Sequence, residues 1–288
     1  MILPAIIYFI IFYYIPMAGV VLAFKTFKIS DGIFSSPWCG FKNFKFLILS
    51  GALLRITVNT ALYNLAFLIM QQTIAMLIAI FITEIAGKIF KKICQQIIFL
   101  PYFVSYVILG AFIYNMFNFE YGALNGYLKN SGLSPVNLYN IKDIWPLIIV
   151  LFNSWKWAGY SSVIYLATAS GINPQLYEAA RIDGTSIFQR IRYITLPHFL
   201  PAFTVVFIFQ MGRIMKGQFE LFYNIIGDNS TLFNVTDVVD TYVFRSLVNT
   251  FDVGLGTAAG LYQAVLGLVL VILANFIVKR INTETAIL

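Results

Sequence analysis

Apolar positions in this chain fall into long unbroken runs instead of alternating with polar ones. No charged residue occurs from Met1 to Phe24, from Ile56 to Thr83, from Ile93 to Phe119 or from Val253 to Val278. A further run, Ile144 to Ser170, is interrupted by Lys156 alone, and another, Leu200 to Ile226, carries Arg213, Lys216 and Glu220. A helix needs about 20 apolar residues to cross roughly 30 Å of hydrocarbon. The runs reach that length without the period-two alternation of a transmembrane barrel. The pattern predicts an all-α integral membrane protein, one domain over 1–288. Its six transmembrane helices fall at about 1–24, 56–84, 95–118, 144–169, 201–226 and 254–278, with a cytoplasmic loop over 170–200.

Composition agrees. Of 288 residues, 60% are hydrophobic and 11% charged, whereas soluble domains carry about 45–50% and about 25%. A disordered chain or a secreted disulfide scaffold is excluded. The net charge of +7 belongs to loops, since no patch of interleaved basic and aromatic residues points to nucleic acid. Lys88, Lys91, Lys92, Arg181, Arg190, Arg192, Lys279 and Arg280 crowd one side of the expected topology. Lys25, Lys28, Lys42, Lys45, Arg55, Lys129, Lys142 and Arg245 are spread thinly along the other. That density difference puts both termini in the cytoplasm of a cell membrane. The first span has no basic residue before it and reads as a retained helix, not a secretory signal. Cys39 then lies outside and Cys94 inside, both as isolated thiols.

Enzymatic chemistry is hard to find. His198 is the single histidine, with no second ligand at metal spacing and no partners for a triad. No G-x-x-x-x-G-K-[ST] loop is present, so the chain has no means of binding ATP by a P-loop. The chain is expected to be no enzyme and to bind no cofactor, and its energy source must be a partner.

The segment from Asn173 to Pro201, NPQLYEAARIDGTSIFQRIRYITLPHFLP, is unusual for a loop. Asn173-Pro174 is a helix start, and Leu176, Ala179, Ala180 and Ile182 give a short helix with a small-residue face. Gly184 breaks it, Ile187, Phe188, Ile191 and Ile194 recur at helical spacing, and Pro197 and Pro201 are expected to stop the run. On physical grounds alone this is a pair of short amphipathic helices at the cytoplasmic surface, which an ordinary interfacial helix pair would also satisfy.

Glu178-Ala179-Ala180, three residues, Gly184, nine residues, Ile194, one residue and Leu196-Pro197 fill every fixed position of E-A-A-x3-G-x9-I-x-L-P. This closely resembles the loop of ABC importer permeases. Ser154-Trp155-Lys156-Trp157-Ala158-Gly159, Ile15-Pro16-Met17, Ser36-Pro37-Trp38, Asp240-Thr241-Tyr242 and Ala274-Asn275 are similar to the carbohydrate-uptake branch, in particular permeases for polysaccharide-derived oligosaccharides. The resemblance implies the binding-protein-dependent (type I) permease fold. It implies a coupling helix formed by Glu178, Ala179, Ala180, Asp183 and Gly184 that docks into a cytoplasmic ATPase dimer, where ATP and Mg are bound. It also implies a second permease subunit and an extracytoplasmic solute-binding lipoprotein, which the segments Gly122 to Asn140 and Gly227 to Asp252 would receive.

Charges inside a bilayer are costly unless they face a cavity or a partner. On one continuous helix, Gln210, Arg213, Gly217, Glu220 and Asn224 share a face, with Lys216 beside it. Together with Lys156 in the preceding span they are expected to line a polar conduit. Pairing of Glu220 with Lys216 or Arg213 is the alternative that would simply make burial tolerable. Lys156, Arg213 and Lys216 against Glu220 leave an excess of positive charge, which points to a cargo bearing carboxylates. Trp155, Trp157 and Tyr160 are candidate sugar-stacking rings, as are Phe219 and Tyr223, although most membrane aromatics serve interfaces. Gly256 and Gly260 form a G-x-x-x-G match expected at a close helix contact. A stand-alone secondary transporter would instead show inverted repeats or broken helices.

Overall fold

The computed structural model describes residues 2–281 apart from Ala86; the C-terminal end expected in the cytoplasm, residues 282–288, lies outside the described residues. The described chain is helical. The helices that matter here are α1 (Leu3–Phe24), α2 (Lys42–Leu49), α3 (Ala52–Glu84), α4 (Lys88–Phe103), α5 (Tyr106–Phe117), α6 (Ala123–Asn130) and α7 (Trp145–Ser170). They continue with α8 (Pro174–Ile182), α9 (Ile187–Met211), α10 (Phe219–Ile226), α11 (Val239–Val248) and α12 (Val253–Ile281).

Four of these, α1, α3, α9 and the N-terminal part of α12, are long and apolar enough to cross a bilayer, and the bent pair α4–α5 makes a fifth. The helix α7 is long but polar, and its position explains why. It packs along α3, burying Asn153, Ser154, Lys156, Ser161 and Ser162 away from lipid; Lys156, Ser161 and Ser162 find hydrogen-bond partners, whereas the side chains of Asn153 and Ser154 find none among the described residues. Ile148 and Ile149 of α7 join Tyr63 and Phe67 of α3 in one apolar cluster, and Tyr165 and Leu166 join Ala75, Ala79 and Phe199 in another.

Two expected helices differ from the continuous spans at 95–118 and 201–226. The first starts earlier, at Lys88, and turns by 90° between Phe103 and Tyr106. Pro101 and the extended Val104 end one helix, and the Ser105 hydroxyl accepts from the Ile108 N–H to begin the next. The second ends at Met211 and resumes only at Phe219. Gly212 and Gly217 flank the interruption, and glycine is a poor helix former. A third correction concerns the prolines. Pro197 and Pro201 do not stop a short helix; α9 runs through them from Ile187. A wide π turn over Ile191–Thr195 precedes Pro197, giving room for a ring that would otherwise press on the preceding turn. The loop expected over 170–200 therefore yields nearly half its length, from Ile187 on, to a membrane helix.

At the end of the molecule where α3 begins, Asp237 is buried and bound by Arg245 at 2.6 Å, with Arg55 of α3 at 3.7 Å. The Tyr63 hydroxyl donates to the Val235 carbonyl. These contacts fasten the segment before α11 onto α3. The G-x-x-x-G pair divides. Gly256 lies against the Leu247 side chain, where an added Cβ would come within 2.9 Å, while Gly260 faces open space.

Candidate functional site

The main cleft, about 670 Å³, opens between α3, α5, α7, α9 and the segment that joins α9 to α10. Of the expected path residues, Trp157, Tyr160, Gln210, Arg213, Lys216 and Glu220 line it. They do not share one helix face, because α9 has ended before Arg213. It is the non-helical segment Gly212–Gln218 that turns the cations toward the cleft.

That segment frees backbone groups, and side chains from three other helices satisfy them. Asn64 of α3 donates to the carbonyls of Ile214 and Lys216 at 2.8 and 3.2 Å. Gln263 of α12 donates to the Met215 carbonyl at 2.6 Å. The Gly217 N–H donates to Oδ2 of Asp240 on α11 at 2.7 Å, and Gln263 donates to the same oxygen at 2.9 Å. A side chain at Gly217 would run into the Asp240 carboxylate. The broken backbone is thus clamped in place rather than loose.

The opposite wall is aromatic and also ordered. Trp157 Nε1 donates to the Tyr106 hydroxyl at 2.8 Å, and that hydroxyl donates to Gln218 Oε1 at 3.1 Å. Tyr160 stacks on Tyr102 with centroids 4.6 Å apart. Gln71 donates to the Ser161 hydroxyl at 2.6 Å, and Tyr165 donates to Gln72 Oε1 at 2.9 Å.

Lys156 lies behind the lining of this cleft and not in it. It is 6% exposed, and its ammonium donates to the carbonyls of Tyr102 (2.8 Å) and Val104, which the bend between α4 and α5 leaves free. The ring of Tyr106 lies 5.1 Å from the same nitrogen, a cation–π contact. Trp155 points elsewhere: it is exposed and absent from the lining. Asn224 belongs to a second cleft of about 870 Å³ beside α5 and α10.

Among the described residues, the ion pairs both centre on Asp237. Neither Arg213 nor Lys216 is paired with Glu220, so the alternative of mutual neutralisation is not realised. The residues missed from sequence are uncharged or remote: Asn64, Gln71, Gln72, Tyr106, Gln218, Asp240 and Gln263. Asn64, Gln71 and Gln72 recur at helical spacing inside an otherwise apolar run, a polar stripe that could have been found by treating amides as outliers.

At the far end, Asn173 caps α8 by accepting from the Gln175 N–H at 3.0 Å. Gly184 adopts φ +72°, a left-handed turn that glycine takes without strain. Ser186 and Gln189 form a reciprocal capping box at the start of α9. Glu178, Ala179, Asp183 and Gly184 are exposed, and so are the large side chains of Ile182 (87%) and Phe188 (84%). Ala180 and Ile194 are half-buried, and Leu196 and Pro197 sit at the exposed flank of α9.

Residues 73–283 match the family described as binding-protein-dependent transport system inner membrane component. The chain is 32% identical to the polygalacturonan/rhamnogalacturonan transport system permease protein YteP of Bacillus subtilis, over 99% of this chain and 88% of that protein. It is 29% identical to protein LplB of the same organism, over 99% and 89%. A solved bacterial ABC transporter involved in import of the acidic polysaccharide alginate contains a chain that superposes with TM-score 0.85 and 34% identity, covering 97% of this chain and 94% of that one.

Proposed function

The chain belongs to the family of binding-protein-dependent transport system inner membrane components, and from that membership we propose that it is a permease subunit of an ATP-driven importer of acidic oligosaccharides. The observation that carries the cargo class is the pair of cations, Arg213 and Lys216, lining the main cleft with no carboxylate bound to either. A carboxylate on the cargo supplies the partner they lack, by charge-assisted hydrogen bonds. Trp157 and Tyr160 offer ring faces to sugar C–H surfaces, and Gln210 offers an amide to hydroxyls. The relatives named for polygalacturonan and rhamnogalacturonan transport and for alginate import support the same class.

Hydrolysis of ATP belongs to a separate cytoplasmic ATPase dimer. A second permease subunit completes the pathway, and an extracytoplasmic binding lipoprotein delivers cargo. Six crossings result when α4–α5 and α9–α10 each count as one, with both ends cytoplasmic. The surface formed by Glu178, Ala179, Ala180, Asp183 and Gly184 docks on the ATPase, where Ile182 and Phe188 supply exposed apolar area. Ile194, Leu196 and Pro197 carry the turn into α9.

The test is uptake by the complete complex in proteoliposomes, with uronate-containing and neutral oligosaccharides of equal length delivered by saturated binding protein. Faster uptake of the acidic series, with Arg213→Gln abolishing the preference, is expected. Equal uptake of both, unchanged in Arg213→Gln, would overturn the cargo class. Gly184→Leu should stop uptake while leaving the chain in the membrane.

A further inference from the structure

We infer that the second cleft, between α5, α10 and the segments that follow them, is an outer glycan subsite that binds the hydroxyl-bearing part of the cargo; this rests on the oligosaccharide-permease reading. The cleft lies at the end of the molecule away from α8 and has a volume of about 870 Å³, within the range of about 300–1,000 Å³ typical of small-molecule sites. Its chemistry differs from that of the main cleft. Tyr114 and Tyr121 present exposed rings, 47% and 61%, with their hydroxyls 3.0 Å apart. Asn137 and Asn224 add amides, each combining donors and an acceptor in one group. Glu120 is the one charged residue in its lining. Amides and phenols in this arrangement suit hydroxyls, and the absence of a lining cation leaves nothing to hold a carboxylate.

The two clefts follow one another along α5 and α10. Tyr106, Gly110 and Tyr114 follow at four-residue steps on one face of α5, as do Glu220 and Asn224 on α10. Tyr106 and Glu220 line the main cleft, whereas Gly110, Tyr114 and Asn224 line the second. At the seam the helices touch so closely that a Cβ on Gly110 would overlap the Asn224 carbonyl. From Tyr106 to Tyr114 the helix rises about 12 Å. A short cargo held at Arg213 and Lys216 stops below the seam, whereas a longer one reaches the tyrosines. The subsite therefore acts on chain length.

The experiment compares a uronate disaccharide with a pentasaccharide that extends it by three neutral sugars, as uptake rates by the complete complex at saturating loaded binding protein. Asn137→Ala and Tyr121→Leu alter groups at the cleft surface, and Arg213→Gln serves as the reference for the main cleft. Each outer variant is expected to slow the pentasaccharide by about 3- to 10-fold, the worth of one neutral hydrogen bond. The disaccharide rate should stay within about twofold, while Arg213→Gln slows both. Equal slowing of both lengths would mean that the cleft seats the binding protein, and would overturn the subsite. No change at either length would overturn it as well. If the unaltered complex takes up neither oligosaccharide, the permease reading itself fails and the subsite falls with it.

Discussion

Two breaks interrupt the membrane helices, and they are stabilised by opposite means. At the bend between α4 and α5 a single cation, Lys156, is drawn in and used up by backbone carbonyls. At the break after α9, amides and a carboxylate from α3, α11 and α12 hold the backbone, and the cations on that segment stay turned to the cleft. One lysine is consumed by structure, and the other two charges are kept available by structure. Position in the membrane alone does not distinguish these roles. What distinguishes them is who satisfies the freed carbonyls.

The sharpest way to break this comparison is Lys156→Met. It leaves two carbonyls without a donor, at about 1–3 kcal/mol each. The melting temperature of the purified complex should fall by roughly 5 °C or more, and uptake should be lost for every cargo alike. If stability were unchanged and only acidic cargo suffered, Lys156 would be a path residue after all. Next comes Arg213→Gln, which should leave the melting temperature alone but slow acidic cargo by about 10- to 100-fold, as removal of a charge-assisted bond predicts. A third variant pair tests the clamp. Asp240→Ala should slow uptake about fivefold by loosening the segment, whereas Asp240→Asn keeps an oxygen for the Gly217 N–H and should restore most of the rate. Smallest of all, Trp155→Leu should change uptake by less than about twofold, as a substitution away from any such feature does.

Much of the architecture was legible in the charge gaps, because a bilayer rejects charge over a length that a run of letters displays directly. The Gly184 turn was legible too, since a left-handed position at a helix end calls for glycine. The breaks were not: broken helices were expected of a stand-alone secondary transporter, yet two occur in this member of the binding-protein-dependent family. Gly212 and Gly217 are weak signals in a hydrophobic run, and nothing near Arg213 in sequence announces that Asn64, Asp240 and Gln263 will hold its segment. Extending one helical face from Gln210 to Asn224 assumed continuity that tertiary hydrogen bonds override. Pro197 and Pro201 misled in the other direction, because a π turn absorbed what local rules treat as a stop. The surroundings of Lys156 were illegible for a related reason: its partners are carbonyls more than fifty residues away, and sequence spacing carries no trace of them.

The unbroken course of α9 has a mechanical consequence. Its 25 residues cover about 37 Å at the ordinary rise and include the π turn, Pro197 and Pro201, with the Gly184 turn at one end and Arg213 just beyond the other. Near the lower third, the Thr195 hydroxyl is tied to Tyr177 of α8 at 3.0 Å. Because Tyr177 and Thr195 lie on either side of the Gly184 turn, this bond joins α8 and the base of α9 into one unit, so a displacement of α8 is handed to α9 directly and not through the turn alone.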